Sequence, residues 1–212
     1  MKKYLLLCLF VFPLLSTAQE IELFQQFNGR LDFTAFGNTL NTAENGGGGN
    51  CTILTESSAN LVLFPNQTFV SAHLYWAGPG TGDFDVELNG NPVTAQRTFS
   101  LTANTGLEYF AAYADVSPLI SGSGTYTLSE LDLTAAIVPA CSNGTNFGGW
   151  SIIVIYEDLS LTLNQISLFD GLDYVAAGHN SLEIILDNID VSTDELAKIG
   201  FLASDYMQFD EF

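Results

Sequence analysis

Positive charge is the scarcest property of this chain. Its 212 residues hold five Lys and Arg against 24 Asp and Glu, a formal net charge of −19. Nucleic-acid binding sets Lys and Arg against phosphates, so that class is argued against, and an anionic membrane surface fails on the same ground. Histidine is nearly as scarce. His73 and His179 stand far apart in the sequence and form no H-E-x-x-H pair. There is no G-x-S-x-G elbow for a serine nucleophile, and no motif asks for an organic cofactor. Long apolar runs are missing apart from Tyr4–Leu15, which Pro13 interrupts and which falls short of the about twenty residues a spanning helix needs.

That one apolar run has a different reading. Lys2 and Lys3 precede it, and Ser16, Thr17 and Ala18 follow it with small residues. A basic start, a short apolar stretch and a small-residue site define a Sec-type signal peptide, with cleavage between Ala18 and Gln19. The expected product is exported and lies outside the cytoplasm. It keeps Arg30, Arg97 and Lys198 against all 24 acids, a formal charge of −21. Of three cysteines, Cys8 leaves with the signal, so Cys51 and Cys141 remain. Two cysteines in an exported chain point to one disulfide.

The remaining pattern is β almost throughout. Val70, Ala72, Leu74 and Trp76 alternate with Ser71, His73 and Tyr75, which predicts a half-buried strand. Phe84, Val86 and Leu88 alternate with Asp83, Asp85 and Glu87. Asn89-Gly90 then signals a two-residue hairpin, with Pro92–Phe99 as the return strand. Trp150–Tyr156 is apolar on both faces and reads as a central strand covered from both sides. Further strands are expected at Leu31–Phe36, Leu61–Phe64, Glu108–Tyr113, Thr125–Leu133, Leu163–Phe169, Leu182–Asp187 and Ile199–Ala203. Apolar parity flips near Leu128 and Gln165, which suggests bulges there. Helix is limited to one or two short turns, at Asp115–Ile120 with Asp115 as cap and at Thr193–Lys198. About ten short strands joined by Gly, Asn and Ser turns predict an all-β antiparallel sandwich, jelly-roll-like. The expected division is a signal peptide at 1–18, an N-terminal segment at 19–30, the sandwich at 31–204 and an acidic, aromatic tail at 205–212.

Chemistry-bearing clusters are few. The pairs Glu157-Asp158, Asp170 with Asp173 and Asp194-Glu195 are of a kind that 24 acids produce by chance, and a glycosidase needs more than a chance pair. The stretch from Asp83 to Gly90 places its glycine eighth rather than sixth and alternates like a strand, so it is not an EF-hand. Asp170 with Asp173, and Asp187 with Asp190, sit at strand ends where a loop site for Ca2+ is one reading and Asp as a turn former is the other. The chain is aromatic-rich. Trp76 and Trp150 lie on strands as core residues, whereas exposed coplanar rings would mark an extracellular carbohydrate-binding module. No catalytic residue is expected.

Several motifs resemble a family when taken in order: Leu74–Gly78 (LYWAG), Tyr109–Ile120 (YFAAYADVSPLI), Gly124–Leu128 (GTYTL), Gly148–Asp158 (GGWSIIVIYED), Ile166–Gly171 (ISLFDG) and Ile199–Ala203 (IGFLA). This set is similar to the N-terminal module of large secreted Bacteroidetes surface proteins, the gliding-motility-associated or type IX secretion sorting-domain proteins. The resemblance spans about Leu31 to Ala203. It implies passage across the outer membrane, a place on the cell surface or in the medium, and a role in adhesion, display or interaction with surface glycans or other surface proteins. It brings no catalytic residues. Members of that family run on through repeats to a C-terminal sorting domain. The resemblance therefore implies a truncated member whose sandwich stops soon after Ala203, leaving an open sheet edge. The first measurable consequence is the mature N-terminus: the exported protein is expected to begin at Gln19, and an N-terminal fragment spectrum that begins at Met1 refutes the signal peptide.

Overall fold

The computed structural model describes residues 20–43, 51–176, 178, 180–189, 197–203 and 208–211. The expected signal peptide with its cleavage site, the greater part of the turn expected at Thr193–Lys198, and much of the 205–212 tail lie outside the described residues. In chain order the strands are β1 (Glu22–Gly29), β2 (Leu31–Thr39), β3 (Ser57–Leu61), β4 (Thr68–Pro79), β5 (Asp85–Leu88), β6 (Asn91–Thr94), β7 (Arg97–Thr102), β8 (Glu108–Asp115), β9 (Gly124–Ser129), β10 (Gly149–Glu157), β11 (Asn164–Asp170), β12 (Gly200–Ala203) and β13 (Gln208–Glu211). Helix among the described residues amounts to two 3-10 turns, Ser117–Leu119 and Val138–Ala140.

Every strand pairing is antiparallel. A five-stranded sheet runs β2-β10-β4-β8-β7, and a four-stranded sheet runs β3-β9-β5-β6. The pairings are nested: β5 with β6, β4 with β8, β3 with β9, β2 with β10 and, outermost, β1 with β11. A long ribbon of nested pairs, rolled so that alternate pairs fall into opposite sheets, is the jelly roll. The contacts β10 to β4 and β9 to β5 close the roll within each sheet. β7 is an added edge strand, hairpin-paired to β8.

The inner faces meet in one apolar cluster. Leu74, Trp76, Phe110, Ala112, Trp150, Ile152 and Val154 from the larger sheet pack with Val86, Leu88, Tyr126 and Leu128 from the smaller. The outer face of the larger sheet is also covered. Tyr75, Phe99 and Tyr113 form a second cluster against Phe24 of β1, Leu172 and Leu202. The outermost pair, β1 with β11, thus folds back over the sandwich as a third layer. This accounts for β10 as expected, apolar on both sides. It corrects β4: His73 and Tyr75 are buried rather than solvent-facing, because the 19–30 segment, given no structure in the sequence reading, supplies a covering strand.

Other expectations shift in instructive ways. Asn89 and Gly90 adopt φ of 49° and 73°, the left-handed pair of a two-residue hairpin turn. The return strand ends early, at Thr94. Ala95 N still donates to Phe84 O of the smaller sheet side, whereas Gln96 N donates to Tyr113 O of the larger, so the chain changes sheets between adjacent residues. The strand expected at Leu61–Phe64 is displaced: β3 runs Ser57–Leu61 and shares only Leu61 with it, and Gln67 N donates to Phe64 O in the turn that follows. β9 stops at Ser129, and Glu130 has φ of 63°, so the parity flip near Leu128 marks a strand end rather than a bulge. No bulge falls at Gln165, which pairs in regular register with Asn28; the slip in this ladder lies on β1 between Leu23 and Gln25, opposite Leu168 and Phe169. The 3-10 turn has Val116 rather than Asp115 at its N-cap; Asp115 Oδ1 instead accepts from Ser117 N and Oγ in an Asx turn just before it. Leu182–Asp187, expected as a strand, enters no ladder, and Asp187 lies in a turn.

Cys51 and Cys141 are bonded, with Cα atoms 5.6 Å apart. One lies in the β2–β3 connection and the other in the β9–β10 connection, the two crossovers that flank the same nested level. Hydrogen bonds reinforce this end of the roll: Leu40 N to Gly148 O at 2.8 Å, Gly148 N to Asn41 Oδ1 at 2.9 Å and Asn41 Nδ2 to Asn146 O at 2.8 Å. Tight approach is built into β2 as well, where a Cβ on Gly37 would collide with the Trp150 carbonyl and stand 2.6 Å from Ser151 Cα. The bridge spans 90 residues of sequence, and closing a loop of that length is worth about 4 to 5 kcal/mol through the unfolded chain. Paired Cys51→Ser and Cys141→Ser substitutions are expected to lower the urea-unfolding free energy by about that amount while leaving the far-ultraviolet spectrum unchanged. A loss under about 1 kcal/mol contradicts a structural role for the bridge.

Candidate functional site

The densest polar chemistry lies under the third layer, on the outer face of the five-stranded sheet. Strand alternation places Ser71, His73 and Tyr75 of β4 on that face. Tyr113 of β8 stands opposite Tyr75 in register, and Arg97 begins β7 beside Tyr113. His73 sits between two hydroxyls, with Ser71 Oγ 3.0 Å from Nε2 and Tyr113 Oη 3.0 Å from Nδ1. Phe27 of β1 covers the imidazole edge-on at 5.6 Å.

Arg97 and Asp170 form the adjoining ion pair. Arg97 Nη2 donates to Asp170 Oδ1 at 2.9 Å, the carboxylate side chain being 1% exposed and the guanidinium side chain 39%. The guanidinium also lies 4.3 Å from the centre of the Phe24 ring. It therefore clamps β11 and β1 to the edge of the sandwich. Burial pushes the Asp170 carboxyl above the usual carboxylate range, and Arg97 offsets part of that. Burial likewise raises the Tyr75 hydroxyl, with Asp170 adding to the effect. The Tyr113 hydroxyl is pushed up to about 12, first by burial and then by Asp115 and Asp170. Tyr75 Oη, Arg97 Nε and Asp170 Oδ2 have no protein partner.

A serine next to a histidine invites comparison with a nucleophile and its base. Here the imidazole's third neighbour is a tyrosine rather than a carboxylate, and His73 is 1% exposed beneath Phe27. A substrate carbonyl has no approach to such a group, since geometry precedes pKa in identifying a general base. The network is a packed polar seam. Sequence reading missed it because its members lie on β4, β7, β8 and β11, up to 99 positions apart (Ser71 to Asp170). The available signal was the polar alternation Ser71, His73, Tyr75 inside an apolar strand.

The sequence-derived site residues fall as follows. Asp170 ends β11 with its carboxylate engaged by Arg97. Asp173 Oδ1 accepts from the adjacent Tyr174 N at 2.7 Å, a local bond in a stretch with no assigned turn. Asp187 is exposed beside Asn188, whose φ is 61°. Asp190 and His179 lie outside the described residues. Among the described residues, no three His, Cys, Asp or Glu side chains gather closely enough to hold a metal ion. Trp76 and Trp150 are fully buried, and no Trp or Tyr ring among the described residues is exposed. A shallow surface depression is lined by Pro79, Gly80, Leu107, Ala136 and Pro139, with Glu108 as its ionisable group. No described helix is long and apolar enough to cross a membrane.

Exposed apolar side chains concentrate near the end of the described chain. Val175, Leu182, Ile184, Ile185, Leu186, Ile189, Ile199 and Phe201 are all solvent-exposed, with Ile185 at 69%. Residues 180–187 make no backbone hydrogen bond within the described chain outside strand ladders and belong to no strand. Gln26 Nε2 donates to Asn188 O at 2.8 Å and ties the segment's end to β1. No family model, curated protein or solved structure matches the chain.

The seam has a pH signature. Burial holds the His73 imidazole below its ordinary value of 6.5, against a smaller opposing pull from Asp115. The unfolded chain takes up the proton near 6.5 while the folded chain does not, so folding stability falls as pH drops through that value and stops falling once the folded imidazole itself protonates. Chemical-denaturation midpoints are expected to decline between about pH 7.5 and 5.5, and His73→Gln is expected to flatten that slope whatever it does to stability overall. An unchanged slope in the variant contradicts a buried neutral His73.

Proposed function

We propose that this chain is an exported cell-surface β-sandwich module for adhesion, display or protein interaction, not an enzyme. On this reading it is akin to the N-terminal modules of the gliding-motility-associated surface proteins that its motif order resembles. The single observation that carries the reading is the distribution of apolar surface. The roll is filled on both faces of its main sheet, and of the fifteen exposed large apolar side chains among the described residues five fall in one unladdered segment, 182–189. Large exposed apolar tracts on an otherwise well-packed protein mark interaction surfaces.

Three further features support it. The disulfide fits an oxidising compartment. The basic, apolar and small-residue order of the first eighteen residues fits export. His73 and Tyr113 are buried beneath Phe24 and Phe27, with Ser71 half-buried beside them, an arrangement that favours packing over catalysis. Sugar recognition through stacked rings draws less support, because both tryptophans are committed to the core. A carbohydrate module presents flat aromatic faces to solvent, whereas the exposed side chains here are chiefly Leu, Ile and Val.

Intact producing cells provide the test. Protease added outside is expected to degrade the protein without lysis, and deletion of its gene is expected to reduce cell attachment or surface spreading. A protease-shielded pool with both cysteines reduced overturns the reading.

A further inference from the structure

We propose that β7 is a self-pairing edge: two copies of this chain join their β7 strands antiparallel about a two-fold axis at Ser100, so that their five-stranded sheets run on as one. The inference stands apart from the cell-surface reading and rests on the sheet alone. β7 (Arg97–Thr102) ends the five-stranded sheet and pairs with β8 on one side. In an antiparallel ladder alternate residues turn their N–H and C=O groups away from the partner strand. Ala103 N donates to Leu107 O, which continues the β7–β8 register and puts Arg97, Phe99 and Leu101 on the bonded side. Thr98, Ser100 and Thr102 therefore direct their backbone groups outward, and they make no hydrogen bond with a described residue outside that ladder. Their side chains are exposed as well. Phe99 and Leu101 are buried against Phe24, Leu172, Leu202 and Tyr174. The edge is thus anchored by its own side chains, and little ordering is lost when a strand joins it.

The other sheet edges each carry an obstruction. β6 has Pro92, β3 has its Ser58 carbonyl taken by Asn38 Nδ2 at 2.9 Å, and β2 has its Phe33 carbonyl taken by Lys198 Nζ at 2.7 Å. β7 pairs with β8 without a bulge, and from Thr98 to Thr102 it has neither proline nor charge, the devices that keep an edge unpaired. A second copy is the occupant that the sequence fits. Thr98-Phe99-Ser100-Leu101-Thr102 has the same polar and apolar order in both directions, as an isologous antiparallel contact requires. With Ser100 opposite its own counterpart, Thr98 faces Thr102 twice, and Thr pairs of this kind are favourable across a ladder. Charge raises no barrier here. The chain bears −19, yet 98–107 holds no ionisable side chain, so the new ladder sets no acid opposite an acid.

Sedimentation of the purified protein over a concentration series is expected to show its mass rising toward twice that of the monomer. Ser100→Pro removes an outward N–H, and Ser100→Lys sets like charges opposite each other at the axis. Each is expected to weaken association by about tenfold or more and to leave the melting temperature unchanged. Ser100→Glu alone is expected to do the same, whereas an equimolar mixture of Ser100→Lys and Ser100→Glu is expected to associate again. Residue-resolved amide exchange on the unaltered protein decides even where a variant fails to fold: Thr98, Ser100 and Thr102 are expected to exchange more slowly in concentrated than in dilute solution. A protein still monomeric at about 1 mM overturns the proposal. So does association that the substitutions leave untouched or that the mixture fails to restore. Protection of the three amides already in dilute solution overturns it too, since the chain then covers the edge itself. Concentration-dependent protection confined to 182–189 would assign self-association to the exposed apolar segment and overturn it likewise.

Discussion

The pairing of β10 with β4 is the constraint on which the rest of the structure depends. β10 lies second in a sheet that cannot be left wet on either side, because Trp150, Ile152 and Val154 point one way and Ile153 and Ile155 point the other. Burying one face produces a sandwich. Burying both demands a third layer, and burial at roughly 25 cal/mol per Å2 of apolar surface makes that layer worth ordering. The outermost nested pair, β1 with β11, folds back to supply it. Gly29 and Arg30 make the turn on one side. On the other, Asp158 N bonds to Arg30 O at 2.9 Å, while Asp158 Oδ1 takes Ser160 N and Oγ at 2.9 and 2.6 Å. Arg30 also reaches the Leu161 carbonyl. The hinge of the third layer is thus built from one arginine and one aspartate at the joint of both strands.

The covering layer brings a polar seam with it. Wherever β1 with β11 meets the outer face, the sandwich supplies His73, Tyr75, Tyr113 and Arg97 rather than a purely aliphatic surface. Replacing such a seam with apolar residues is often neutral for stability, since desolvation consumes much of the Coulombic gain. Its value lies in register. An aliphatic face would accept the arm at several offsets, but a guanidinium that must meet Asp170, stack on Phe24 and lie near Phe99 admits one. The slip between Leu23 and Gln25 fits this account. It lies beside Phe24, the residue that has to reach the guanidinium.

The architecture was largely legible because its signals are local. Alternation marked β4 and β5, an apolar run on both faces marked β10, Asn89-Gly90 marked the hairpin, and cysteine count with export marked the bridge. What was not legible depends on contacts between distant parts. β1 reads as an ordinary polar stretch, and only its packing on Phe99 and Tyr113 makes it a layer; from this followed the misplaced solvent face of β4. The change of sheet at Ala95 and Gln96 turns on two hydrogen bonds to different partners, which no periodicity records. Leu182–Asp187 failed in the opposite direction. Its pattern is that of a good strand, and the structure provides no neighbour for it. The polar seam, drawn from four strands, had only the odd composition of Ser71, His73 and Tyr75 to announce it.

Charge explains why such an unpartnered segment is tolerable. A run of Leu, Ile, Ile and Leu with an open backbone is normally an aggregation hazard. Here Glu183 splits the run near its start, Asp187 closes it, and the surrounding chain carries almost no positive charge with which another copy might answer. Acidic gatekeepers protect against homologous pairing. Edge β6 is managed differently, with Pro92 withholding an N–H, a device that blocks every partner alike. Proline thus guards a strand inside a sheet, whereas acids interrupt the apolar run of a segment that belongs to none.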